Sequence, residues 1–135
     1  MSPSDDAHRP LVPYLAVAGG VAALDFYARA FGAVETSRIM ADDGRVAHSE
    51  LTIGSAQLYL SDEWPELEVA SPTTLGGYSV SLVLEVDDAD GFVTRLAMSG
   101  ARVERAVGPG PEPGTRAGWV VDPFGHRWHV WSTIA

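Results

Sequence analysis

Gly118 to Ser132 reads GWVVDPFGHRWHVWS and holds three of the four tryptophans and two of the four histidines in the chain. Asp122-Pro123-Phe124-Gly125 is turn chemistry: Asp accepts a local backbone bond, Pro presets φ, and Gly tolerates a positive φ. The flanks are β-branched or aromatic, so the stretch reads as strand, turn, strand. Strand alternation puts Trp128 and Val130 on one face of the second arm and Arg127, His129 and Trp131 on the other. The second face joins a cation, an imidazole and an indole, which fits a ligand-facing wall. Trp119 depends on the turn. With a two-residue loop at Pro123-Phe124 it opposes Trp128 and joins the core, whereas a bulge turns it to the other face.

Working backwards, VGPGPEPGTRAG (Val107 to Gly118) reads as a Gly- and Pro-rich loop, able to act as a lid. Arg102 to Ala106 is a strand, and Ala89 to Met98 is a helix capped by Asp87-Asp88 and closed by Gly100. Ser81 to Val86 is a strand. Ser61 to Gly77 has no periodicity and reads as a connector, in which Trp64 is expected to anchor the loop. The first half carries strands at Leu11 to Val17, Glu35 to Met40, Arg45 to Ile53 and Ala56 to Ser61. Its helix, Val21 to Phe31, ends at Gly32.

The two halves repeat. Leu15-Ala16-Val17 and Leu84-Glu85-Val86 both lead into a helix, Gly32-Ala33-Val34-Glu35 echoes Gly100 to Glu104, and Gly54 and Gly125 each precede a last strand. Each half is strand, helix, three strands, and the recurring order makes chance similarity a poor explanation. The fold class expected is α+β, with mixed curved sheets, helices outside and a cleft inside. The division is a flexible tail over 1–10 and a single domain over 11–135. Within it, module one covers about 11–62, the connector 63–78 and module two about 79–133.

Composition excludes several functions. The 135 residues suit one domain, and the absence of cysteine removes disulfides and thiolate metal sites. A net charge of −9 argues against nucleic acid and is compatible with solubility or with a cationic ligand. No apolar run reaches the length of a membrane span, and the polar start lacks a secretory h-region, so a cytoplasmic protein is expected. No Ser–His–Asp or Cys–His nucleophile pattern and no phosphate-cradling glycine loop is present.

The residues LAVAGGVAALDFYARAFGA (Leu15 to Ala33), GRVAHSELTIG (Gly44 to Gly54), LYLSDEWPE (Leu58 to Glu66), VSLVLEVDDAD (Val80 to Asp90) and DPFGHRW (Asp122 to Trp128) resemble the vicinal oxygen chelate superfamily. That is the fold of glyoxalase I and the bleomycin resistance proteins, and the wording is nearest its PhnB-like branch. The resemblance implies paired βαβββ modules and a homodimer. Metal-dependent members place one His or Glu on the first and last strand of each module. Those positions fall here at Val12 (or Pro13), Tyr59, Ser81 and His129. With one imidazole among four positions, the resemblance implies a metal-free site.

The candidate ligand-binding residues are His48, Glu50, Tyr59, Glu85, Arg127, His129 and Trp131. His48 and Glu50 sit two apart on one strand and share a face. Tyr59 and Trp131 offer aromatic faces for a flat or cationic ligand, or for a dimer interface. Arg127 is expected to pair with Glu50 or Glu85, or to hold an anionic group. The function expected is binding or sequestration of an antibiotic or similar metabolite. The alternative is an enzyme using His48 or His129 as acid–base helped by Glu50, or a displaced divalent metal at His48, Glu50 and His129, with Glu85 near them.

Overall fold

Two successive runs of strand, helix and three strands build the chain, as the repeat implies. The computed structural model describes residues 10–133, so the tail, including His8, lies almost wholly outside the described residues. Module one comprises β1 (Tyr14–Val17), α1 (Gly20–Phe31), β2 (Val34–Met40), β3 (Val46–Ile53) and β4 (Ala56–Asp62). The connector holds a 3₁₀ turn (Pro65–Leu67) and a short helix, α2 (Pro72–Leu75), before β5 (Ser81–Glu85) opens module two. Then follow α3 (Ala89–Met98), β6 (Arg102–Pro109), β7 (Thr115–Val121) and β8 (Arg127–Thr133).

Each module makes one four-stranded mixed sheet, in the orders β1-β4-β3-β2 and β5-β8-β7-β6. The first strand of each module pairs parallel with the last, and the other pairs are antiparallel. The sheets share no ladder. Among the described residues no helix is long and apolar enough to cross a membrane.

Alternation sorts each strand into a helix-covered face and a helix-free face. Ser49, Leu51 and Ile53 of β3 and Trp128, Val130 and Ser132 of β8 are buried, while the residues between them are only partly so. One core cluster runs through both modules, from Leu15, Leu24, Leu51 and Leu60 to Val93, Leu96, Val120 and Trp128. Helix α1 crosses the module boundary. Tyr27 and Phe31 pack on Trp128 at ring distances of 6.2 and 4.5 Å, and Phe31 meets Phe92 of α3 at 5.6 Å.

Carboxylates from two turns hold that helix. Its N-cap is Gly19 in the left-handed region, which has no side chain to cap with. Asp62 substitutes: Oδ1 accepts from the backbone N–H groups of Gly19 (3.1 Å) and Gly20 (2.8 Å), and Oδ2 from that of Val46 (2.7 Å). Further along, Asp122, buried at 4% exposure, accepts from the Tyr27 hydroxyl and, at 2.9 Å, from Trp128 Nε1. Its other oxygen accepts from the backbone N–H groups of Phe124 (2.9 Å) and His126 (3.1 Å). His126 in turn donates from Nε2 to the Ala16 carbonyl at 2.9 Å, tying the β7–β8 turn to β1.

Three expectations change here. The first strand begins at Tyr14 rather than Leu11, with Pro13 just ahead of it. The connector is partly regular: Ser71 caps α2 by accepting from Thr74 N–H at 3.4 Å, and Arg45 stacks on Trp64 at 3.5 Å, so Trp64 anchors the loop. Most of the supposed lid is strand. β6 runs to Pro109 and β7 starts at Thr115, so the segment is a protruding hairpin with Gly108 opposite Ala117 and Pro109 opposite Arg116. Proline is tolerated there because β6 is an edge strand.

Candidate functional site

The helix-free face of sheet one carries a chain of hydrogen bonds. Strand β3 turns His48 and Glu50 to this face, β4 brings Tyr59 opposite Glu50, and β1 sets Tyr14 beside Tyr59 in parallel register. The Tyr14 hydroxyl lies 2.6 Å from His48 Nδ1, and His48 Nε2 lies 2.9 Å from Glu50 Oε2. A carboxylate can only accept, so Nε2 carries the imidazole proton and Nδ1 accepts from Tyr14. Burial, and more weakly the Glu50 charge, raise the Tyr14 phenol above its usual value against the Ser61 hydroxyl, which keeps Tyr14 the donor. Tyr59 packs edge-on against both Tyr14 (5.6 Å) and His48 (5.1 Å).

The helix-free face of sheet two carries a stacked cluster. Asp122 N–H donates to the His126 carbonyl at 2.8 Å, closing a loop of Pro123, Phe124 and Gly125, and Gly125 has φ 91°. This sets Trp119 opposite His129, with Val120 opposite Trp128. Trp119 therefore faces the ligand side, and its ring stacks on His129 at 4.7 Å and 8°. The Arg127 guanidinium lies 4.3 Å from the centre of the Trp119 ring, and Arg105 lies 5.1 Å from it. Arg127 Nη2 is 3.5 Å from His129 Nε2, a long contact in which the imidazole accepts. Burial first and the Arg127 charge second push the His129 imidazole below its ordinary range, while Glu104 pulls the other way. Trp131, with Ala117, Trp119 and His129, lines a hollow of about 380 Å³ beneath the β6–β7 hairpin.

The seven candidates thus fall into groups. His48, Glu50 and Tyr59 come together on sheet one, and Arg127, His129 and Trp131 share the face of sheet two. Glu85 ends β5 exposed, in register with Trp131, and its side chain makes no hydrogen bond or ion pair among the described residues. Arg127 pairs with neither Glu50 nor Glu85. Its acidic neighbour is Glu104, at 3.4 Å from Nε. A bulge between Val103 and Arg105 breaks the alternation of β6 there. The sequence reading missed Tyr14, Glu104 and Tyr78, whose ring centre lies 5.3 Å from the Arg127 guanidinium. Tyr14 could have been found through its parity with Val12 on the first strand.

The residues do not fit a divalent metal at the superfamily positions, where Val12, Tyr59 and Ser81 accompany His129. The alternative set is split as well: His48 and Glu50 stand on β3, His129 on β8, and Glu85 outside both clusters. Among the described residues no group of three or more His, Asp or Glu could hold an ion. What the two faces can do is present oriented hydrogen-bonding groups and aromatic planes, and move a proton along Tyr14, His48 and Glu50.

Comparison with known proteins agrees with this architecture. Residues 14–130 match the family model of the Glyoxalase/Bleomycin resistance protein/Dioxygenase superfamily. The uncharacterized protein Mb0911c of Mycobacterium bovis is 39% identical over 123 residues, covering 89% of this chain and 80% of its own. The crystal structure of an Arabidopsis thaliana gene product, At5g48480, is similar at 28% identity and TM-score 0.72, covering 92% of this chain and 98% of that one. A PhnB protein from Bacillus cereus, described as a putative 3-demethylubiquinone-9 3-methyltransferase, shares the fold at 19% identity and TM-score 0.71, covering 93% of this chain and all (100%) of its own. Paired modules, their strand orders and the family match together make this chain a member of the Glyoxalase/Bleomycin resistance protein/Dioxygenase superfamily.

Proposed function

We propose that the protein binds a small organic molecule against the helix-free faces of its sheets, without a resident metal, as a homodimer. The observation that carries this reading is the pair of ordered polar–aromatic clusters left partly open in one chain. Tyr14, His48 and Glu50 form one and Arg127, Trp119 and His129 the other. Groups held by hydrogen bonds and stacking before a ligand arrives lose little conformational entropy on binding. Among the described residues no hydrogen bond, ion pair or ring contact joins the two clusters within the chain. Val83 at 60% and Tyr14 at 53% exposure are large side chains that a second copy would cover. The bleomycin resistance members of the superfamily support sequestration of an antibiotic or similar metabolite as the purpose.

A ligand screen followed by tryptophan fluorescence tests the reading. Quenching that is lost in Trp131→Ala supports it, and no response across a broad aromatic, cationic and anionic set refutes it. Stoichiometric metal in protein purified without chelator, lost in His129→Ala, overturns the metal-free part. A monomer by light scattering at micromolar concentration overturns the dimer.

A second reading is favoured by one observation, the Tyr14–His48–Glu50 chain. A phenol hydrogen-bonded to an imidazole that a carboxylate orients is a general acid–base arrangement. Exchange of solvent deuterium into a bound ligand, abolished in His48→Gln, is the outcome this reading requires.

A further inference from the structure

Strands β1 and β5 are the terminal strands of their sheets and pair with each other nowhere. Between them, under the connector, lies a pocket of about 580 Å³. Pro13, Leu75, Val80 and Leu82 supply apolar wall, Tyr14 reaches it from module one, and Arg127 reaches it from module two. Such a mixture of broad apolar lining and a few polar groups is the usual character of a small-molecule site.

The state of Arg127 says which molecule. Its side chain is only 21% exposed, and its Nε is buried with no hydrogen-bond partner among the described residues. Glu104, 3.4 Å away, makes ion-pair contact without a hydrogen bond to that nitrogen. The same carboxylate accepts from the Tyr78 hydroxyl at 2.5 Å and stands 3.8 Å from Arg102. One carboxylate therefore serves two guanidinium groups and a phenol, and the buried donor of Arg127 is left over. Burial closes that nitrogen to a ligand, but Arg127 lines the seam pocket, where an anion can share the guanidinium charge with Glu104. Arginine's planar fork suits a carboxylate in particular. The acidic net charge suggested cations, but the lining of this pocket carries Arg127 and no carboxylate.

We propose that the seam pocket binds a small amphipathic carboxylate, its head on Arg127 and its apolar body along Pro13, Leu75, Val80 and Leu82. The proposal rests on the small-molecule-binding reading above and names the ligand class for one part of that site.

Calorimetric titration with octanoate, 1-octanol and octylammonium, three chains of like length and different head charge, tests it. Octanoate is expected to bind at least about tenfold more tightly than the other two. Arg127→Gln should weaken octanoate by about tenfold or more and leave octanol unchanged, and Arg127→Lys should retain part of the preference. Val80→Trp, at an exposed position on the pocket wall, should weaken octanoate with the fold intact by circular dichroism. Equal binding of octanoate and octanol, or an unchanged affinity in a folded Arg127→Gln protein, overturns the proposal while leaving the binder reading in place. Absence of octanoate binding alongside a quenching ligand in the tryptophan screen does the same, and failure of both experiments removes both.

Discussion

Replacing Asp122 with alanine removes an acceptor of four hydrogen bonds from a position that is 4% exposed. Two of the donors have no recourse to water: Tyr27 is 0% exposed and Trp128 is 4% exposed. Burial and the nearby Asp122 charge push the Tyr27 phenol well above its usual value, so it is a donor throughout the accessible pH range. Each stranded buried donor costs about 1–3 kcal/mol, and the two turn N–H groups add about 1 kcal/mol between them because water reaches the half-buried turn. The expected loss is about 3–7 kcal/mol, a fall in Tm of about 10–35 °C at about 3–5 °C per kcal/mol for a chain of this size. Asp122→Asn keeps one acceptor oxygen but turns an amide N–H₂ toward donors, so about 1–3 kcal/mol is expected. Thermal unfolding by circular dichroism measures both. Tyr27→Phe in the Asp122→Ala background should cost less than in the wild type, because its donor is already stranded. Additive effects, or a fall in Tm under about 3 °C for Asp122→Ala, would refute the assignment of Asp122 as the joint between α1 and module two.

Other expected outcomes follow from the same contacts. Gly20→Ala places a Cβ 2.6 Å from Asp62 Oδ2 and 2.7 Å from Val46 Cγ2, so it should destabilise by about 1–3 kcal/mol despite alanine's better helix propensity. A Gly20→Ala protein at least as stable as the parent would contradict the Asp62 cap. His129 has a folded-state pKa below its ordinary 6.5, so the unfolded chain takes up its proton first as pH falls. Its contribution therefore declines from about pH 6.5 down to the folded-state pKa and is constant beyond it on either side. His129→Gln should flatten the pH dependence of Tm in that window, and parallel curves for the two proteins would rule the shift out. His126→Phe removes the donor to Ala16 O, and faster amide hydrogen exchange at the β1 edge is the expected signature.

What the sequence disclosed depended on how local each signal is. Helix α1 and its stop at Gly32 were legible because a left-handed residue follows an apolar stripe, and φ there is 70°. The cap on α3 was legible too: Asp88 accepts from Gly91 N–H at 3.1 Å. Trp119 was not, because DPFGH admits either of two loop lengths, and one residue of difference moves every side chain of the arm to the other face. The partner of Arg127 was hidden by the β6 bulge. Gly118 marks a second irregularity, between Arg105 and Gly108, where a Cβ would come within 2.8 Å of Val107 Cγ2 and 3.1 Å of Arg105 O. Local parity with Val12 gives the facing of Tyr14, but its place beside Tyr59, 45 positions on in a parallel pairing, is not written in local periodicity.

The motifs that carry the family resemblance divide by face, and the division separates frame from site. In LSDE, Asp62 caps α1 and Glu63 accepts from Ser71 N–H at 2.8 Å. In DPFGH, Asp122 and His126 join the modules. These charged and imidazole groups look chemical in the sequence, yet each spends its hydrogen bonds on backbone or core partners. HSEL differs: the His48 and Glu50 side chains point to the helix-free face and, among the described residues, bond only to each other and to Tyr14. Polar type alone is therefore a weak indicator of function in this fold, and the facing of the strand decides. By that criterion a member that keeps LSDE and DPFGH preserves the spacing of β1 and β5 while remaining free to change Tyr14, His48, Trp119 and Arg127, the groups a ligand would meet.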